Sequence, residues 1–133
     1  MICKKIHMVH GELDPVDLQN LKEIEAFTIG SFRVILLSSY LAFSESMICM
    51  KQREYDADIV VIGGSHNASI KKIQDFHVID PGTATGAFNS TYENPPPSFI
   101  ILEILGYIAN ATIYTLEKDG SISSRTETFQ KQI

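Results

Sequence analysis

"DIVVIGGSHNASIKKIQDFHVID", residues Asp58 to Asp80, decides how this chain folds. Ile59 to Ile62 is a short apolar run that stops at Gly63-Gly64, the pattern of a central strand ending in a glycine turn. After the turn, Ile70 to Ile79 reads as a hairpin whose bend lies near Gln74-Asp75. "DPGTATG", Asp80 to Gly86, then makes a glycine-rich turn, and Pro95 to Pro97 forbid regular structure before the next strand.

Toward the N-terminus, "FSESMICMKQREYDAD" is the one persuasive helix. Ser44 is placed to cap it, Glu45 suits its positive end, and Met47, Ile48, Met50 and Tyr55 are expected to form a core stripe. "EAFTIGSFRVILL" sets Gly30-Ser31 between two β-prone runs, the composition of a type II′ hairpin whose second arm is buried on both faces. Leu18, Leu21 and Ile24 recur at intervals of three, which allows one or two helical turns. Ile6, Met8 and Val9 suggest a strand that ends in the loop "HGELD". Toward the C-terminus, "SFIILEI", "ATIYTLE" and "SISSRTE" read as strands, the last two joined through Asp119-Gly120. Many strands, one clear helix and no strict βαβ alternation imply an α/β sandwich of layered sheets with helices outside.

The 133 residues suffice for one domain, expected to span 1–133. A composition 44% apolar and 20% charged is that of a globular protein, and a net charge of −5 argues against nucleic acid as a partner. Cys3 and Cys49 lack any metal-binding or disulfide spacing and read as reduced thiols. The N-terminus lacks the apolar core of a signal peptide, and "SFIILEILGYIANA" is too short to span a bilayer. A cytoplasmic address is the expectation, and the glycosylation sequons at Asn67, Asn89 and Asn110 are then chance matches.

Two places carry residue types suited to chemistry. His66, at the end of a glycine turn after a strand, can be a metal ligand or general base, but for a lone histidine the plainer reading is a loop residue hydrogen-bonded to its neighbours. His10, with Glu12 and Asp14 in the loop "HGELD", is the second candidate, although acidic loops are ordinarily solvated. His7 and His77 sit within strand patterns and read as structural or exposed rather than catalytic. Backbone N–H groups of "DPGTATG" can form an anion nest, but a close-packed turn of small residues is the plainer reading.

In order along the chain, "IHMVHGELD", "GSFRVILL", "YDADIVVIGGSHNASI" and "HVIDPGTATGAFNSTYENPPPSFIILEI" resemble the family of vacuolar protein sorting-associated protein 29, retromer subunits with a metallophosphoesterase fold. The most specific piece is "DPGTATGAFN" followed by "PPPSF", similar to the family's N-P-G-S-A-T-G-A-Y-N and P-S-F. The resemblance implies an α/β/β/α sandwich, here expected to lack its N-terminal βαβ portion. An incomplete gene model, a reduced subunit and a decayed copy are three explanations for such a chain.

The resemblance also locates the family's dinuclear metal loops. The G-N/D-x-D loop maps to Gly11-Glu12-Leu13-Asp14, the H-G-H loop to Ser38-Ser39-Tyr40, and the G-H-T-H loop to Gly63-Gly64-Ser65-His66. The relic positions are thus Glu12, Ser38, Gly64 and His66, of which Glu12 and His66 alone retain a family-type donor. Two donors do not build a site that holds two ions about 3.5–4 Å apart. The implied protein is a scaffold without catalysis, metal or other cofactor. The enzyme alternative is a metal-dependent phosphodiesterase whose missing ligands lie upstream.

As a scaffold, the resemblance implies docking onto the retromer α-solenoid subunit, vacuolar protein sorting-associated protein 35, through the relic-site face. Leu41 and Phe43 in "LAFSES" match the family's apolar anchors there, with His66 beside them, although Phe43 can equally staple the following helix. A second family surface takes Pro-Leu loops of regulatory proteins. Ile101 and Tyr114 match its lining, while Thr112 and Ser123 replace more apolar residues, and core burial is the alternative for both matches. The implied location is the cytoplasmic surface of endosomes, as a peripheral subunit in endosome-to-Golgi sorting.

Overall fold

The computed structural model describes residues 6–9, 22–39, 41–42, 44–87 and 95–131. In chain order the described elements are β1 (Ile24–Ile29), β2 (Phe32–Leu37), α1 (Glu45–Tyr55), β3 (Ile59–Val61), β4 (Ser69–Ile73), β5 (Phe76–Asp80), β6 (Ser98–Leu105), β7 (Ile108–Leu116) and β8 (Ile122–Gln130). They form a sheet of order β1-β2-β3-β5-β4 and a second of order β6-β7-β8.

The short strand β3 lies in the middle of the first sheet, parallel to both β2 and β5, as its continuous apolar run required. Ile59 and Val60 are fully buried. The β1–β2 hairpin turns at Gly30-Ser31 with Gly30 at φ 57° and Ser31 outside the positive-φ region, the signature of a II′ turn. β4 and β5 turn at Gln74-Asp75, and β7 and β8 through the loop holding Asp119-Gly120. A turn at Gly106-Tyr107 joins β6 to β7. Its lone glycine inside an apolar run was the only signal for it.

Alternation along each strand builds two cores. Between the sheets, Phe32, Val34, Ile59, Ile70 and Ile79 meet Ala109, Ala111, Ile113 and Phe129. Small Ala109 and Ala111 leave room for the rings of Phe32 and Phe129, which meet edge to face at 6.2 Å. On the other side of the first sheet, Ile35, Leu37, Val60, Phe76 and Val78 pack with Ile48 of α1. The described layers are therefore helix, sheet and sheet.

Helix α1 begins where Ser44 accepts a hydrogen bond from the Met47 N–H at 3.2 Å, satisfying one of the donors every helix start leaves open. It ends with Asp56 in the left-handed region, φ 52°, while the Ala57 N–H reaches the Gln52 carbonyl at 3.1 Å. The expected core stripe needs correction at Met50, which is 54% exposed. At about 100° per residue, Met50 lies about 200° round from the buried Ile48 and faces water.

Two further expectations change. Ile6 to Val9 forms no strand; His7 instead holds this segment beside β1, its ring stacked on Phe27 at 4.0 Å and its Nδ1 3.2 Å from Glu25 Oε1. Ile24 belongs to β1 rather than to a helical turn, and Leu18 and Leu21 lie outside the described residues. No described helix is long and apolar enough to cross a membrane.

Candidate functional site

Strands β2, β3 and β5 run parallel, so their C-terminal ends deliver three loops to one end of the sandwich. These are Ser38-Ser39 after β2, Gly63 to His66 after β3, and Pro81 to Ala87 after β5. The first two touch. Gly64 has φ 98°, and a Cβ built on it would stand 3.0 Å from the Ser39 Cβ. Any larger residue at 64 therefore needs both a rarely adopted backbone and a displaced neighbour. Ser38 is fully buried at the end of its strand.

The third loop is organised from within. Asp80, fully buried, accepts from Ser65 Oγ at 2.5 Å through one carboxylate oxygen and from the Gly82 N–H at 2.9 Å through the other. Ser65 Oγ in turn accepts from the Asn67 N–H at 3.0 Å. Gly82 stands at φ 81°, and a Cβ there would collide with Ser98 Oγ. Ser98 Oγ donates to the Pro81 carbonyl at 2.8 Å, and Thr83 Oγ1 accepts the Ala87 N–H at 3.1 Å. The Gly82 and Ala87 N–H groups are thus used within the turn, as in a close-packed turn of small residues.

His66 closes the arrangement. Its Nδ1 is 2.7 Å from the Ala87 carbonyl oxygen. A carbonyl only accepts, so Nδ1 carries the proton and Nε2 alone keeps a lone pair in the neutral ring. The backbone at His66 is itself left-handed, φ 62°, uncommon for a residue other than glycine. The ring borders a cleft of about 250 Å³ that also takes in Asn67, Pro96, Ser98, Thr115 and Arg125. The hydrogen bond of the loop reading is thus present, and the same bond leaves Nε2 with the lone pair that a ligand or base would use.

The remaining expected site residues are split between two surfaces. Leu41 follows Ser38 in a tight turn, its N–H bonded to the Ser38 carbonyl at 3.0 Å, and its side chain packs partly against the α1 core. Phe43, Glu12, His10 and Asp14 lie outside the described residues. Ile101 and Tyr114 are on the outer face of β6-β7-β8, turned away from the core that Ile100, Leu102 and Ile113 enter. Ile101 is 53% exposed, so core burial does not account for it. Tyr114 is half-buried and stacks on Phe99 at 5.2 Å.

At the opposite end of the sandwich lies a cluster that sequence reasoning did not find. His77 of β5 stacks on Phe129 of β8 at 3.8 Å, joining the two sheets. Lys131 Nζ donates to Asp58 Oδ2 at 3.0 Å and to the Ser31 carbonyl at 2.7 Å, and the Arg33 N–H also reaches Asp58 Oδ2 at 2.8 Å. Burial first, then the nearby Lys72 ammonium, hold the His77 imidazole below its usual range; Glu127 pulls weakly the other way. Residues this far apart in the chain leave no local signal. The reading of His77 as structural holds.

Comparison with known proteins decides the family. Residues 1–106 match the model for the calcineurin-like phosphoesterase superfamily domain. Vacuolar protein sorting-associated protein 29 of Schizosaccharomyces pombe is 26% identical over 138 aligned positions, covering 98% of this chain and 72% of that protein. A crystal structure of a Vps29 double mutant from Entamoeba histolytica superposes with a TM-score of 0.86 at 32% identity, over 95% of this chain and 70% of its own. This chain belongs to the Vps29 family. Wild-type Vps29 of E. histolytica, also 32% identical, with a TM-score of 0.83 over 92% of this chain and 68% of its own, was crystallised with zinc.

Membership of the Vps29 family makes a metal in this chain a question for its own donors. A dinuclear centre needs several imidazole and carboxylate groups in one place. Here Gly64 offers no side chain and position 38 offers a hydroxyl; the His66 Nδ1 bond to Ala87 leaves Nε2 able to ligate, but as a single imidazole, and both Asp80 oxygens are engaged by Ser65 and Gly82. Among the described residues no three His, Cys, Asp or Glu side chains are grouped to hold an ion. The described donors alone do not make up the dinuclear centre of a phosphoesterase, and Glu12 lies outside the described residues.

Proposed function

We propose that this chain is a non-catalytic protein-binding subunit in vacuolar protein sorting, of retromer type, carried on the cytoplasmic face of endosomes. The loop end of the sandwich docks onto the retromer α-solenoid subunit, vacuolar protein sorting-associated protein 35, through Leu41 and His66 and, as the family resemblance implies, Phe43. The outer-face residues Ile101 and Tyr114 receive Pro-Leu loops of regulatory proteins. Glu12, Ser38, Gly64 and His66 are the relic positions of a metal centre that no longer acts.

The observation that carries this reading is the closure between Gly64 and Ser39. Where the family's loop pattern has a histidine, the backbone stands at φ 98° with the Ser39 Cβ only 3.0 Å from where a first side-chain atom would sit. Phosphoester hydrolysis by two metals needs an imidazole-rich cavity at this place, and a surface closed by small residues suits contact with another protein instead.

The test is a binding titration of the 133-residue chain against the purified solenoid subunit, run beside a phosphodiester hydrolysis assay with added manganese. Saturable binding that L41D weakens at least about tenfold, with unchanged circular dichroism and no hydrolysis, is the expected result. Manganese-dependent turnover, or no binding by well-folded protein, overturns it.

A further inference from the structure

In the three-stranded sheet β8 is an edge strand, bonded to β7 on one side and to no described strand on the other. It runs for nine residues without glycine or proline, and it is exposed along almost its whole length. Such an edge offers a row of backbone donors and acceptors to any second strand, and proteins ordinarily shield it.

The side chains of this edge select one partner. Arg125 and Glu127 are two residues apart and so share a face. Across β7 they stand opposite the neutral Ile113 and Ala111, and neither enters any ion pair of the described structure. We infer that β8 pairs with β8 of a second copy of this chain, antiparallel about a two-fold axis at Thr126. In that register Arg125 of each copy stands opposite Glu127 of the other, so one contact is made twice by symmetry. Moving the axis by one residue to Arg125 or Glu127 sets like charges on it, and a parallel in-register pair opposes Arg125 to Arg125.

The outer face agrees with this register. Thr126 Oγ1 already lies 2.9 Å from Thr112 Oγ1, and Thr128 Oγ1 donates to Asn110 Oδ1 at 2.6 Å. Pairing at Thr126 continues that hydroxyl ladder across the axis into the copy. The other edge, β6, has Glu103 as its one charged residue, so no pairing of β6 with itself joins opposite charges. A single strand pair per copy buries less than a standard interface, and the dimer is therefore weak and dependent on concentration. This inference is independent of the sorting role.

Sedimentation velocity of the intact 133-residue chain, from low micromolar to sub-millimolar concentration, reads the association. The wild type passes from monomer to dimer. R125E alone and E127R alone each weaken the dimer by at least about tenfold, because both contacts become like-charged. Mixing the two variants restores association as a heterodimer, since the two acids on the edge of the R125E chain then face the two arginines on the edge of the E127R chain. The double variant R125E/E127R dimerises like the wild type. Concentration-dependent protection of β8 amides from hydrogen exchange checks the same edge without any substitution. A monomer at every concentration, a dimer indifferent to the single reversals, or folded variants that fail to associate on mixing overturns the inference.

Discussion

On one face of the three-stranded sheet, Ile100, Leu102, Ala109, Ala111, Ile113 and Phe129 pack against the larger sheet. On the other face of the same strands, Phe99, Ile101, Leu105, Ile108, Leu116 and Ile122 are all more than 40% exposed. The two sets differ little in hydrophobicity. What separates them is the parity of their positions and the presence of a second sheet opposite one set. The inner face is filled from across the gap by Phe32, Val34 and Ile59, whereas the outer face has a polar centre, Thr112 with Thr126 and Asn110 with Thr128, and no described layer above it. An apolar strand residue is thus core on one face and available for contact on the other.

The largest effect that tests this contrast is at Phe129. Replacing it with alanine removes an inner-face ring and its contacts with both Phe32 and His77, and a loss of about 3–5 kcal/mol in chemical denaturation is expected. Next, A111L overfills the narrow gap between the sheets and lowers stability by about 1–3 kcal/mol. A loss well under 1 kcal/mol in either would show the gap to be looser than described.

A smaller, pH-dependent effect belongs to His77. Its pKa in the fold is lowered, so the unfolded chain takes up the proton first as pH falls below the usual imidazole value of 6.5. Its stabilising contribution is complete above that value and declines through the window down to the lowered folded pKa. The expected outcome is that wild type loses more stability than H77F between about pH 7.5 and 5.5, since phenylalanine keeps a ring on Phe129 without a titrating group. Equal slopes for the two proteins would remove His77 from the account.

The smallest expected change is on the outer face. I101S shifts stability by no more than about 0.5 kcal/mol while reducing binding of a Pro-Leu peptide, read by calorimetry. A destabilisation as large as that of A111L would show Ile101 to be covered and erase the contrast.

Much of the architecture was legible locally. Gly30-Ser31 and Asp119-Gly120 marked hairpins because few residues take positive φ without cost, and Ser44 marked the helix start because its hydroxyl can satisfy an orphan N–H. Less was legible where partners came from elsewhere in the chain. Ile6 to Val9 has a strand's composition but is held by His7 against Glu25 and Phe27 rather than by a ladder. Met50 has a core residue's composition but faces away from the sheet. At the site, Ser38 and Gly64 could be matched to the family's loop positions from the resemblance, but the Asp80–Ser65 bond could not be read, because the two residues meet only after β5 folds beside β3.

The sequence by itself determined most of the strands, the hairpin turns and the capped helix. These are properties of residue type and spacing, which act over a few bonds. Only the tertiary structure decided that Ser39 fills the space beside Gly64, that the His66 proton faces Ala87, that His77 joins the sheets through Phe129, and that Arg125 and Glu127 lie on an open edge. Each of these depends on which distant segment arrives opposite, and that is settled by burying one face of each sheet rather than by any local preference.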